Sequence, residues 1–308
     1  MKVGLAAAIL GYLIYAVDIG QILEAAEKAR TGWILGALAL LPLNVFLEGV
    51  GWHLLVRIEV PTVHWKMSFE SLLAGHALGL STPARLGEYA GRAFSLQHKN
   101  RGTLLALVLT DHLITKVVGV SIGLGAFFYF LHVFSPTPLH LWRAVALYGA
   151  AMALMLIVFV LFPRFAYRVL HHVVRLARLR RHLQFLQTVS TRLMLLLLTA
   201  AALRYAVYSM QFVLLIYAFA PAVAFHTAYI GVVLVFFVKF LLPSVTLFDL
   251  GIREGAAVFF LGLWGYTGAV AFNAAFLLFC INLLLPAMVG IPFVFRLKPS
   301  VSTSSSGA

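Results

Sequence analysis

Pro83-Ala84-Arg85-Leu86-Gly87-Glu88, with Arg92 one turn further on, and Asp249-Leu250-Gly251-Ile252-Arg253-Glu254 place charge inside apolar runs that are otherwise long enough to enter a bilayer. An ionisable group at membrane depth costs about 2.5–3.5 kcal/mol on insertion scales, so such residues mark a pathway or a site. Before the first stretch lies an apolar half, Phe69–Leu80. The second is flanked by two, Tyr229–Leu242 and Ala256–Trp264. Each half is too short to cross alone, which predicts two broken or re-entrant helical hairpins with Pro83, Gly87, Pro243 and Gly251 shaping the breaks.

The remainder of the 308 residues supports a membrane setting. The chain is 62% hydrophobic and only 11% charged, against about 25% charged in soluble domains. Apolar runs predict helices near 3–17, 32–56, 103–133, 139–162, 192–219 and 267–295. The fold expected is therefore an all-α polytopic membrane protein of about six transmembrane helices plus the two hairpins. Residues 1–299 form one domain, and the Ser-rich 300–308 is a disordered tail. Residues 18–30 suit a short amphipathic surface helix, and 164–190 a basic interfacial helix. The N-terminus is read as a retained first helix, not a cleaved signal.

The net charge of +13 is unevenly spread: no Asp or Glu occurs between Asp111 and Asp249, whereas Arg164, Arg168, Arg175, Arg178, Arg180, Arg181 and Arg192 lie there. In so apolar a chain the positive-inside rule explains this cluster better than nucleic acid does. Placing 163–192 in the cytoplasm puts both termini inside, with the chain multi-pass in the inner (cytoplasmic) membrane. The two hairpins then enter from opposite faces. Leu78–Glu88 also aligns weakly with Leu241–Ile252, which together gives a weak inverted repeat of the kind that brackets a transporter site near the midplane.

The same two motifs resemble those of the lysylphosphatidylglycerol synthase transmembrane (flippase-like) domain family. A Pro-x-Arg-x-Gly-(Asp/Glu) segment followed by Arg stands here as Pro83, Arg85, Gly87, Glu88 and Arg92. A later Leu-Pro…Gly-x-Gly-x-Arg-Glu segment stands as Leu242-Pro243 and Asp249-Leu250-Gly251-Ile252-Arg253-Glu254. Three positions depart from the pattern: Gly51-Trp52 for Arg-Trp, Asp111-His112 for an acidic-Arg pair, and Phe248-Asp249 for a glycine pair. No counterpart of the soluble aminoacyl-transferase domain lies within these residues, so the resemblance is to a stand-alone member. It implies movement of a lipid or lipid-linked molecule between leaflets.

Candidate substrate-binding residues are Arg85, Glu88, Arg92, Asp249, Arg253 and Glu254, because arginine is the natural bidentate partner of a phosphate. Each set admits a second reading, a structural ion pair that fixes the break. Glu48, Asp111, His112, Lys116, Arg204 and Lys239 form a supporting charge network. Glu48 reads as a lone intramembrane acid, and Asp111 as a partner for Arg85 or Arg92 in preference to a proton relay. Cys280 is the single cysteine, and the eleven histidines lack metal-ligand spacing, so no cofactor or metal is expected. No nucleotide-binding or nucleophile motif occurs, so no enzyme is expected. Two alternatives stay open, an intramembrane lipid or polyprenyl-glycan transferase and a non-catalytic assembly subunit. The partners expected are anionic or lipid-linked membrane lipids, with no nucleic acid; a homo-oligomer or a separate lipid-modifying enzyme is compatible with both.

Overall fold

A computed structural model describes residues 19–82, 85–96, 98–134, 139–173, 182–220, 222, 224–242 and 248–295, and the side chains of 19, 139–142, 144–146, 170–173 and 248–250 are not among those described. Every regular element among these residues is helical. Four helices are long and apolar enough to cross a membrane: Thr31–Glu59, Arg101–Phe134, Thr191–Phe219 and Gly268–Val294. A fifth is reached if Leu147–Leu161 and Pro163–Val169 count as one span, although a 101° bend separates them at Pro163. The chain is an all-α polytopic membrane protein. The helix expected over 3–17 lies outside the described residues, as does the tail.

Sequence explains the irregularities within these spans. Pro42 cannot donate to the carbonyl four residues back, and the first span breaks into Thr31–Ala39 and Leu41–Glu59 there. Pro286 leaves the carbonyl of Asn282 without its usual donor, and the last span widens into a π-turn over Cys280–Leu284. The basic segment departs from expectation. Its helix covers Pro163–Val173, and Gln184–Gln187 is a 3-10 turn, so no single helix runs to residue 190. The amphipathic helix before the first span is present as Ile19–Glu27 and is tied down by Asn273 Nδ2 donating to the Ile22 carbonyl (2.8 Å).

Both charged stretches lie in helical hairpins. The first has arms Trp65–Ser81 and Leu86–Ser95. At 1.5 Å per residue these are about 25 and 15 Å long, short of a hydrocarbon core about 30 Å thick. Gly75-x-x-x-Gly79 on one arm faces Gly87-x-x-x-Gly91 on the other, small-residue stripes of the kind that let helix backbones touch. A Cβ on Gly91 would lie 2.8 Å from the Ala74 carbonyl oxygen and from Gly75 Cα. The second hairpin has arms Phe225–Leu241 and Phe248–Leu263; its turn, with Pro243, is outside the described residues. Gly251 does not make that turn. It lies buried inside the second arm, because the helix already begins at Phe248.

Element order repeats. A 29-residue span, a hairpin and a third span occupy 31–134, and the same order occupies 191–294. Pro243 follows Pro83 by 160 positions, as Thr191 follows Thr31. The two 29-residue spans run antiparallel. The Arg30 N–H donates to the Ala218 carbonyl (2.8 Å), Trp33 packs on Tyr217 (5.4 Å), Gln211 Nε2 donates to the Ala37 carbonyl (2.9 Å), and Arg204 Nη2 donates to Glu48 (2.7 Å). Asn44 and Arg204, again 160 apart, bond to each other at 3.2 Å. Counterparts meet in this way where a pseudo-two-fold axis passes between them. Antiparallel spans at the same place in each repeat make the repeat inverted.

Two outcomes follow from this packing. In a Cys280→Ala background, thiols at Thr31→Cys and Thr191→Cys label with impermeant reagent from opposite faces of the membrane; labelling from one face would contradict the inverted arrangement. Separately, Gly91→Leu abolishes monodisperse protein on size exclusion. Gly262→Ala, where a Cβ meets nothing within 4 Å, leaves the thermal midpoint unchanged or raises stability by up to about 1 kcal/mol.

Candidate functional site

Arg92 has no solvent exposure, yet it lies on the short second arm of the first hairpin. A buried guanidinium demands full pairing. Its Nη2 donates to Glu48 Oε1 (2.5 Å) and Glu88 Oε1 (2.7 Å), its Nη1 to Asp111 Oδ2 (2.8 Å), and its face lies over Trp52 at 5.5 Å. Three elements converge on one cation: the first span through Glu48, the hairpin through Glu88, and Arg101–Phe134 through Asp111. Gly75 makes room, since a Cβ there would lie 2.6 Å from Arg92 Cγ. Trp52 is held in turn by donating to Ser71 Oγ (2.8 Å).

Each carboxylate has further partners. Arg85 Nη2 lies 2.8 Å from Glu88 Oε2, and His112 Nε2 lies 3.4 Å from Glu88 Oε1. Arg85 takes a left-handed backbone (φ 53°), the one non-glycine residue to do so among those described. That conformation costs about 1–2 kcal/mol and turns the side chain back toward Glu88. Thr82 Oγ1 accepts from the Gly87 N–H (2.6 Å) and thereby occupies one donor of the helix start. Glu48, expected to be alone, is not. His76 Nε2 is 3.1 Å and Arg204 Nη2 2.7 Å from its Oε2, because an isolated carboxylate at mid-span would be far costlier than a shared one.

Amides extend the network. Asn44 Nδ2 donates to Asn282 Oδ1 (2.6 Å) and Gln211 Oε1 (3.3 Å), while Asn44 Oδ1 accepts from Arg204 Nε. Asn282 reaches Asn44 from within the π-turn. On the second hairpin, Arg253 donates to Glu254 Oε1 through Nη2 (2.5 Å) and Nε (3.2 Å) and lies over Phe279 at 5.6 Å. Lys239 lies over the Tyr208 ring at 5.6 Å.

These groups border a cavity of about 330 Å³, small for a binding pocket but within the usual range. Both hairpins line it, the first with Arg85 and Glu88 and the second with Lys239 and Arg253. The spans contribute Glu48, Asp111, His112, Lys116 and Arg204. Nine of the residues singled out by sequence thus meet at one place. Arg92 and Glu254 are buried behind the wall and do not line it. Gly87 packs against the Leu78 carbonyl in the hairpin. Pro83, Pro243 and the Asp249 side chain lie outside the described residues. Sequence reasoning passed over Asn44, His76, Tyr89, Tyr208 and Asn282, all in the wall. His76 was detectable as a titratable group inside an apolar helix, the same signal that exposed Glu48. Among the described residues no group of three His, Cys, Asp or Glu side chains is arranged to hold a metal.

Fold and site together define a polytopic membrane protein with a charged cavity at mid-span between inverted halves. The family described as Lysylphosphatidylglycerol synthase TM region matches residues 1–290, and the chain belongs to it. No curated protein and no solved structure matches. Membership makes this a membrane protein of lipid-related function.

The ion cluster yields its own outcome. Glu48→Gln leaves Arg92 and Arg204 short of negative charge and destabilises by about 3–5 kcal/mol, read as a lowered unfolding midpoint in detergent. Adding Arg204→Gln recovers part of that loss; a double variant as unstable as the sum of the singles would show that the two side chains are not coupled.

Proposed function

We propose that this protein moves a lipid with a phosphate-bearing headgroup between the leaflets of the inner membrane, with both termini in the cytoplasm. One observation carries the reading: a single mid-span cavity takes charged side chains from both hairpins. The hairpins act as re-entrant elements, one from each face, whose arms are too short to cross. The headgroup occupies the cavity while the acyl chains stay in lipid. Arg85 and Arg253 contact it from opposite halves. Arg92 is a positioning residue that holds Glu48, Glu88 and Asp111 in place. Alternating access comes from one inverted half moving against the other about the contact between the two 29-residue spans.

Reconstitution tests this. Purified chain in liposomes carrying labelled lipids accelerates leaflet exchange of at least one phosphate-bearing lipid, and Arg85→Ala and Arg253→Ala each reduce it about tenfold or more, the worth of a charge-assisted hydrogen bond. No exchange of any candidate lipid sinks the reading. Chemical conversion of the lipid would favour a transferase instead.

A further inference from the structure

Among the described side chains the charges around the cavity do not balance, and the imbalance has a location. Glu48, Glu88 and Asp111 are matched by Arg92, Arg85 and Arg204, each at 2.8 Å or less from one of them. Glu254 is matched by Arg253. Lys116 and Lys239 remain. Both line the cavity, and neither has a carboxylate within ion-pair distance among the described residues. Lys116 lies about 140° around its helix from Asp111, which keeps the two apart. It shares a face with His112 instead, one turn before it. Lys239 rests on an aromatic ring, a contact that leaves its donors available.

Resting on the lipid-transport reading, in which Arg85 and Arg253 contact the headgroup, we propose that Lys116 and Lys239 bind it as well and supply the charge that balances it, and that the cavity takes a phosphate mono- or diester carrying no ammonium group. Two surplus lysines compensate a charge of minus one or two. A cationic substituent, such as an aminoacyl group, meets the opposite situation. Every carboxylate in the described wall already holds at least one arginine, so an incoming ammonium must break an arginine pair or sit uncompensated beside two lysines. Repulsion of that kind is strong where the surroundings are poorly polarisable. Tyr208 and Tyr89 add hydroxyl groups to the same wall, which suit phosphate oxygens and glycerol or sugar hydroxyls alike.

The test is binding by the full chain in detergent, followed by calorimetry. The probes are dioctanoyl phosphatidic acid, dioctanoyl phosphatidylglycerol, short-chain lysylphosphatidylglycerol and inorganic phosphate. The two anionic lipids bind at least about tenfold more tightly than the lysyl lipid. Lys116→Gln and Lys239→Gln each weaken anionic binding about tenfold. Lys116→Arg and Lys239→Arg largely restore it, and Lys28→Gln, just past the surface helix, has no effect. Phosphate bound as tightly as phosphatidic acid would assign the site to the free ion and overturn the lipid headgroup. Equal or tighter binding of the lysyl lipid would overturn the inference whether or not the protein transports. Anionic preference without any leaflet exchange in liposomes would uphold the lysine site and sink the transport reading, so the two failures are distinct.

Discussion

A guanidinium cannot be left unpaired inside a membrane protein, and much of the architecture around Arg92 follows from that constraint. Born costs for a buried ion run to several kcal/mol even after relaxation. Three carboxylates from three elements meet it, and those elements must approach closely enough for side chains to bond at 2.5–2.8 Å. The glycine stripes of the first hairpin provide that closeness. They bring the two arms into backbone contact and leave a channel for the Arg92 stem over Gly75. Replacing a whole buried ion cluster such as this by apolar side chains of similar volume is often neutral for stability. Its presence is thus better explained by what it positions, namely Glu48 and Glu88 at the cavity wall.

Inversion explains why the charged stretches occur twice. Each repeat carries a buried arginine on the second arm of its hairpin, Arg92 in one and Arg253 in the other, and each is stacked on an aromatic ring, Trp52 or Phe279. Their partners differ. Arg92 draws carboxylates from two other helices, whereas Arg253 draws on its neighbour Glu254. The first hairpin is therefore pinned to the spans around it by ion pairs. The second meets the neighbouring span through neutral partners, Lys239 over the Tyr208 ring and Arg253 bonded to the Tyr208 side chain, while Gly231 packs against Leu261 between its own arms. Contacts to a neutral side chain cost less to break than buried ion pairs, so on the proposed transport reading the second hairpin would be the easier of the two to move.

The all-α membrane fold, five of the expected helices and the two hairpins were legible in the sequence because hydrophobic length and interrupting charge are local signals. Arg101–Phe134 and Thr191–Phe219 match their apolar runs within two residues. The clustering of Arg85, Glu88, Asp111, His112, Lys116, Arg204, Lys239 and Arg253 was legible too, through the rule that charge in an apolar run is rarely idle. Other features were not. Partner choice is a tertiary matter, so Glu48 read as solitary although two arginines and a histidine converge on it. The π-turn that lets Asn282 reach Asn44 depends on Pro286 four residues on, and a proline in a span predicts a kink without saying which carbonyl it frees. Gly251 read as a turn residue because glycine permits turns; it does not require them.

The crossing between halves sets the energetic terms of any rocking motion. Among the described residues, one ion pair spans the two 29-residue helices, Arg204 with Glu48. Around it stand neutral amides: Asn44, Gln211 and Asn282. Separating an ion pair at mid-membrane with nothing else to hand would cost several kcal/mol. An amide carries both donors and acceptors and no net charge, so it can exchange one partner for another at little desolvation cost. Arg204 bonds Asn44 and Glu48 at once, and Asn44 bonds three side chains. Glu48 in turn keeps Arg92 and His76 if Arg204 withdraws. The axis of the inverted repeat is therefore lined with groups that stay satisfied in more than one arrangement, while the cluster around Arg92 lacks such alternatives and, in the proposed rocking motion, would move as a unit with the first half.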